Sequence, residues 1–253
     1  MSPHDGHGAL GAQALLQAWE QAQALHPLQR ADVLLGLAWP EVAPGAWGTL
    51  PLGTRDAHLF TLFETLFGAT LDLRVDCPAC GEALELALRT TDLRPEPPDA
   101  GAGVPPLQCE GYELAYRLPG SDDLIALIDT GDARDPDAAM ARLLDRCVLQ
   151  ARHAGQPVAA IELPPPVIER LQQEMAVHDP GADLRVALAC PACGHGFDRR
   201  FDIGATLWDA LDDWAERTLA EVHTLASAYG WSEPQVLALG AARRQRYIAM
   251  VQG

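Results

Sequence analysis

The pentapeptide CPACG occurs twice in this 253-residue chain, at residues 77–81 and 190–194. In each copy two residues separate the cysteines, a spacing at which one turn can direct both sulfur atoms toward a common point. Bringing the copies together closes a loop of more than a hundred residues, at a cost of about 4 kcal/mol. Because structural zinc contributes about 10–16 kcal/mol, the pattern predicts one shared Zn²⁺ site formed by Cys77, Cys80, Cys190 and Cys193.

The segments around both motifs show the alternation of β-hairpins. Around the first motif, apolar residues recur at every second position, as they do in strands: Leu71, Leu73, Val75, Leu84, Leu86 and Leu88. The second motif lies in the similar segment LRVALACPACGHGFDRRFDI. In a thioredoxin-like redox site, a helix would begin at the first cysteine instead. The pattern favours a small antiparallel zinc ribbon built from residues 70–89 and 182–203, and two independent dithiols or a redox switch are the alternatives.

Helical periodicity dominates the rest of the chain. We expect helices over residues 54–68, 121–129, 135–153, 167–177 and 207–228. Thr54 and Asp135 are candidate N-caps, and Gly155 is expected just past the end of the helix that Asp135 begins. A final helix is expected to begin with a capping box formed by Ser232 and Gln235. The predicted fold class is therefore α+β, mainly helical with a small antiparallel sheet component.

Composition suggests four successive segments. We predict a flexible N-terminal tail over residues 1–12 and a helical segment over residues 13–69. Residues 70–205 form a β and zinc-ribbon core with inserted helices, and residues 206–253 form a C-terminal helical pair. Since the sequence has no apolar run near the roughly 20 residues of a membrane span and no cationic leader at its start, we expect a cytoplasmic protein.

The charge and the missing motifs narrow the function. Asp and Glu number 35 against 18 Lys and Arg, for a net charge of −17, which disfavours binding to nucleic-acid phosphates. A four-cysteine zinc site has no open position for water or substrate, and the sequence contains no H-E-x-x-H, G-x-S-x-G or G-x-x-x-x-G-K motif. These features predict a protein that is not an enzyme.

Other candidate residues have simpler interpretations. His195 lies two residues after Cys193, and we expect it to face solvent because four cysteines already complete the coordination of zinc. Cys147 lies among apolar residues and is expected to be a buried structural thiol. The acidic pairs 122–123 and 212–213 are expected to be charges of a first helical turn or of solvated helix faces.

Several sequence blocks resemble one known family. The segment LPLGTRDAHLFTLFETLFGATLDLRVDCPACGEALEL is followed by LPGSDDL, LLDRCV, DPGADLRVALACPACGHGFDRRFDI and EVHTLASAYGWSEPQVLALGAARRQRYIAMV. In this order they resemble the phage baseplate protein family typified by the T-even phages, which in bacteria also occurs with phage-like contractile injection systems. The resemblance covers roughly residues 50–251.

The resemblance implies a structural or assembly protein of a contractile-tail baseplate or hub. Its partners would be other baseplate, hub or tail proteins, with no membrane partner, and its four cysteines would form the family's metal site. The alternative is a zinc-ribbon regulator or nucleic-acid-associated factor, for which the ribbon segments supply only Arg74, Arg185, Arg199 and Arg200.

Overall fold

The computed structural model describes residues 10–94 and 104–252, and these residues are mainly helical with small antiparallel sheets. This confirms the predicted α+β class, mainly helical with small antiparallel sheets. Because the described residues begin at residue 10, most of the tail predicted over residues 1–12 lies outside them. The α-helices are α1 (Ala12–Ala22), α2 (Pro27–Ala38), α3 (Ala46–Thr49), α4 (Leu52–Phe67), α5 (Thr90–Leu93), α6 (Ser121–Thr130), α7 (Pro136–Cys147), α8 (Pro165–His178), α9 (Ile203–Tyr229), α10 (Glu233–Leu237) and α11 (Ala241–Gln252).

The strands form three separate antiparallel sheets. Two of the sheets are isolated hairpins, and the third has four strands in the order β3–β4–β5–β6. The strands are β1 (Thr70–Asp76), β2 (Ala83–Arg89), β3 (Leu107–Cys109), β4 (Tyr112–Tyr116), β5 (Val148–His153), β6 (Gln156–Pro157), β7 (Arg185–Ala189) and β8 (Gly196–Arg200). Short 3₁₀ helices cover residues 132–134, 160–162 and 180–183.

The chain divides into two compact units, residues 1–42 with 204–253 and residues 43–203. The predicted helical segment 13–69 therefore contributes to both units. In the first unit, apolar side chains of α1, α9 and α10 form one core, since Leu16, Leu225 and Val236 are buried in a single cluster. Each of these helices contributes apolar side chains to this cluster, as expected for a helix with one apolar face.

The second unit has a core in which α7 and α8 pack with the four-stranded sheet. Leu114 from β4, Leu144 from α7 and Val167 and Leu171 from α8 are buried together. The turn between β3 and β4 consists of Glu110 and Gly111, both with positive φ, the conformation of a tight two-residue hairpin. Across this turn, Leu107 pairs with Leu114, and Cys109 pairs with Tyr112.

Several local predictions were wrong or incomplete. The helix predicted over residues 135–153 ends at Cys147, because residues 148–153 pair with β4 as strand β5. Gly155 consequently lies in the turn between β5 and β6, where its φ is 78°, rather than at a helix end. The predicted final helix is two helices, α10 and α11, although the capping box of Ser232 and Gln235 is present.

The helix predicted over residues 54–68 begins two residues earlier, and Thr54 does not cap it. Its N-cap is Pro51, which makes no side-chain capping bond. Instead the carboxylate of Asp179 accepts a hydrogen bond from the backbone N–H of Gly53 at 3.0 Å. A residue 126 positions away thus satisfies one of the free N–H groups of the first turn.

Across residues 10–94 and 104–252, no helix combines the length and the apolar character needed to cross a membrane.

Candidate metal centre

The first CPACG motif forms the tip of the hairpin made by β1 and β2. The strands pair in register from Thr70 with Arg89 to Asp76 with Ala83, so residues 77–82 form the connecting loop. The N–H of Cys77 donates to the carbonyl oxygen of Glu82 at 2.8 Å, and the N–H of Gly81 donates to that of Cys77 at 2.9 Å. Gly81 has a φ of 75°, a conformation that glycine adopts without steric cost.

The second motif repeats this turn at the tip of the hairpin made by β7 and β8. The N–H of Cys190 donates to the carbonyl oxygen of His195, and the N–H of Gly194 donates to that of Cys190, both at 2.9 Å. Gly194 has a φ of 74°. The two turns thus have the same hydrogen bonds and the same glycine conformation. The repeated sequence is a repeated local structure.

The two turns meet, and their four sulfur atoms all lie within 4.8 Å of one another. The Sγ atoms of Cys77 and Cys193 are 3.8 Å apart, and those of Cys80 and Cys190 are 3.6 Å apart. Four sulfurs in a tetrahedron around zinc, each about 2.3 Å from the metal, would be separated by about 3.8 Å. Two of the sulfur–sulfur distances thus match a tetrahedral zinc site, and all four sulfurs are close enough together to reach one metal ion.

The cluster is half covered by protein. Cys77 and Cys190, the first cysteine of each motif, are only 2% exposed, and they pack with Leu84 and Phe197. Cys80 and Cys193, the second cysteine of each motif, are exposed. The apolar contacts lower the local dielectric on one side of the cluster, whereas solvent reaches the sulfur atoms on the other side.

Hydrogen bonds within the cluster lower the pKa of one thiol, whereas the pKa of another is raised. The backbone N–H groups of Cys193 and Ala192 lower the pKa of Cys190 to about 7. At Cys80 the backbone N–H of Glu82 acts in the same direction, but the neighbouring thiols and partial desolvation outweigh it and raise the pKa to about 12. Four thiolates this close cannot all be ionised together unless a cation compensates their charge. A divalent metal bound by the four sulfurs would supply that compensation.

His195 is exposed, as expected. Its ring stacks on that of Phe197 with 6.0 Å between the centroids. Within the described ranges, the four cysteines are the one set of three or more His, Cys, Asp or Glu residues found to converge on a possible metal position.

Two arginines of the β7–β8 hairpin are partly neutralised, at the end of the hairpin opposite the cysteine turn. Arg185 and Arg200 both pair with the carboxylate of Asp183, at 2.8 Å and 3.6 Å. Two of the four candidate cations of a phosphate-binding face are therefore already paired with an acidic side chain.

Sequence reasoning missed a buried ionic cluster around Asp123. Its expected position in a first helical turn is confirmed, but the residue is 1% exposed and is not solvated. It lies in the first turn of α6, where it accepts two hydrogen bonds from Arg117 at 2.6 Å and 2.8 Å and one from Arg146 at 2.6 Å. The N–H of Gly120 donates a fourth bond at 2.9 Å. The segment LPGSDDL gives the helix start, but nothing local predicts the two arginines.

Asp212 also differs from its expected solvated state. Its carboxylate accepts a hydrogen bond of 2.7 Å from the indole N–H of Trp19, which joins α9 to α1. Cys147 is buried, as predicted, and burial, the largest influence, raises the pKa of its thiol to about 11.

Comparisons of the chain with protein-family models, with curated proteins and with solved structures gave no match.

Proposed function

We propose that this chain is a non-enzymatic structural or assembly protein of a contractile-tail baseplate or hub, and that a zinc ribbon fastens together its two cysteine-bearing hairpins. The observation that carries the zinc ribbon is the convergence of four cysteine sulfurs within 4.8 Å. The order of the sequence blocks over residues 50–251, which resembles the baseplate family, carries the assembly role. The two parts of the proposal are tested separately.

The donor set favours a soft metal ion such as zinc over magnesium or calcium. Thiolates are soft ligands that select zinc, copper(I) and iron, whereas magnesium and calcium require oxygen ligands. A Cys₄ tetrahedron closes the coordination of zinc, as in structural sites. When bound, the metal supplies a rigid link between hairpins whose cysteines are 110–116 residues apart. The cysteines serve as ligands and the backbone N–H groups orient them.

The zinc is tested by metal analysis of the purified protein and of two variants. Cys190→Ser removes a ligand, and we expect it to abolish stoichiometric zinc binding. Cys109→Ser is the matched control, because Cys109 is a free cysteine in β3 outside the cluster, and it should retain full zinc. Equal zinc contents in Cys190→Ser and the wild type would contradict the shared site.

The assembly role is tested by affinity purification of the tagged chain from the organism that encodes it, followed by mass spectrometry. Recovery of baseplate, spike or sheath proteins is the expected result. Cys190→Ser should lose these partners together with its zinc, because we propose that the zinc site holds the partner-binding surface in place. A folded, zinc-free variant that still binds the same partners would show that partner binding does not depend on zinc.

The same purification distinguishes the alternative of a nucleic-acid-associated regulator. Recovery of polymerase subunits, or salt-sensitive binding to DNA or RNA, would contradict the assembly role. The pairing of Arg185 and Arg200 with Asp183 and the net charge of −17 disfavour that outcome.

A further inference from the structure

Two sulfur–sulfur contacts shorter than 4 Å join the two hairpins, and each is a pair of one exposed and one buried thiol. Exposed Cys80 lies 3.6 Å from buried Cys190, and exposed Cys193 lies 3.8 Å from buried Cys77. In both pairs the two residues belong to different hairpins. Each solvent-accessible sulfur therefore has a protected sulfur of the opposite hairpin in direct contact.

We propose that this centre is also a peroxide-responsive site, in which oxidation replaces the metal with two disulfides, Cys80–Cys190 and Cys77–Cys193. The inference rests on the proposed zinc binding. Metal coordination keeps the cysteines deprotonated, and accessible thiolates that lie next to a second cysteine are the ones that peroxides convert to disulfides. In this centre the exposed cysteines are the sites of attack, and their buried partners resolve the product.

Each disulfide forms in two steps. The exposed thiolate attacks one oxygen of hydrogen peroxide, so that an S–O bond forms, the O–O bond breaks and hydroxide leaves. The buried thiolate then attacks that sulfur, so that the S–S bond forms and a second hydroxide leaves. Two thiolates lose two electrons and one peroxide gains them. Two peroxides thus oxidise all four thiolates, and the metal dissociates as Zn²⁺ because no ligand remains.

The pairing decides what happens to the fold. Disulfides within each motif, Cys77–Cys80 and Cys190–Cys193, would leave the hairpins without any link once the metal is lost. Disulfides between the motifs join the same two turns that the metal joined. The sulfurs of each pair need to approach by less than about 2 Å to reach the bonding distance of about 2.05 Å. Oxidation therefore releases zinc but keeps the two hairpins connected.

The test is stoichiometric peroxide treatment of the purified protein after its zinc content has been measured. A chromophoric chelator records zinc release, and mass spectrometry of non-reduced peptides maps the disulfides. We expect loss of zinc together with peptides linked through Cys80–Cys190 and Cys77–Cys193. Cys193→Ser should form the Cys80–Cys190 link alone, and Cys109→Ser should give the wild-type map.

The outcomes separate this inference from the proposed function. A preparation that never contains zinc contradicts the proposed function, and its disulfide map still decides the pairing. A zinc-loaded protein contradicts the inference alone if it keeps its metal under peroxide. Links within each motif, or conversion of the exposed cysteines to sulfinic acid without any disulfide, also overturn it.

Discussion

Replacing Asp123 by asparagine tests whether its buried carboxylate holds the second unit together. Three elements meet at this side chain, because Arg117 follows β4, Arg146 lies on α7, and Asp123 itself is in the first turn of α6. Asparagine has nearly the same shape but no charge, and its amide nitrogen would face a guanidinium donor. The substitution therefore removes the ion pairs with little change in packing.

The loss of unfolding free energy caused by Asp123→Asn can be estimated in two ways. Burial raises the pKa of Asp123, but the hydrogen bonds from Arg117, Gly120 and Arg146 outweigh it and hold the pKa at about 2, against 3.8 for an unperturbed aspartate. A difference of this size corresponds to about 2 kcal/mol. Removing one partner of a buried ion pair costs about 3–5 kcal/mol. Because the arginines are 36% and 33% exposed and can be solvated, we expect a loss of about 2–3 kcal/mol.

Urea denaturation followed by circular dichroism measures this loss at pH 7. The matched control is Asp122→Asn, since Asp122 is the exposed neighbour in the same helical turn, and its effect should stay within about 0.5 kcal/mol. The pKa of Asp123 is lowered in the folded state, so its stabilisation is present above pH 3.8 and is lost as the pH falls toward about 2. The gap between wild type and Asp123→Asn should shrink over that range. Equal effects of the two substitutions, or a gap independent of pH, would refute the role assigned to Asp123.

Two further predictions concern a close backbone contact and a second carboxylate. Gly120→Ala should destabilise the fold by about 1–3 kcal/mol, because an added methyl group would press on the carbonyl oxygen of Gly48. Gly36→Ala, where the added methyl group has open space, should stabilise α2 by about 0.5–1 kcal/mol. Thermal melts compare the two variants, and similar changes in melting temperature would contradict the close contact at Gly120. Burial raises the pKa of Asp56 to about 7, although Arg55 opposes it, so its ionisation costs stability as the pH rises from about 4 to 7. Asp56→Asn should therefore melt above the wild type at pH 8 but close to it at pH 4, and a constant difference would contradict this assignment.

The convergence of the four cysteines could be predicted from sequence because most of its signals are local. Alternation on both sides of each motif gives the hairpins, and the spacing of two residues between cysteines gives the turns. The repeat of the motif then indicates that the turns meet, as the sulfur positions confirm. The hairpins and the turns depend on residues only a few positions apart. The meeting of the two turns is a long-range feature, and it follows from the four ligands that one metal ion requires.

The elements that sequence reasoning missed depend on distant residues. The segment VLQARH continues the composition of α7, and it is a strand because β4 offers it a pairing edge. The start of α4 is satisfied by Asp179, and the burial of Asp123 depends on Arg146, 23 positions away. Local propensity is a weak guide wherever tertiary contacts supply the hydrogen bonds.

X-ray absorption at the zinc edge of the purified wild-type protein tests the central claim most directly. We predict one zinc per chain with four sulfur ligands at about 2.3 Å, since the four sulfur atoms already lie within 4.8 Å of one another. A first coordination shell that contains oxygen or nitrogen atoms, or two metal ions each held by a single motif, would contradict the shared site.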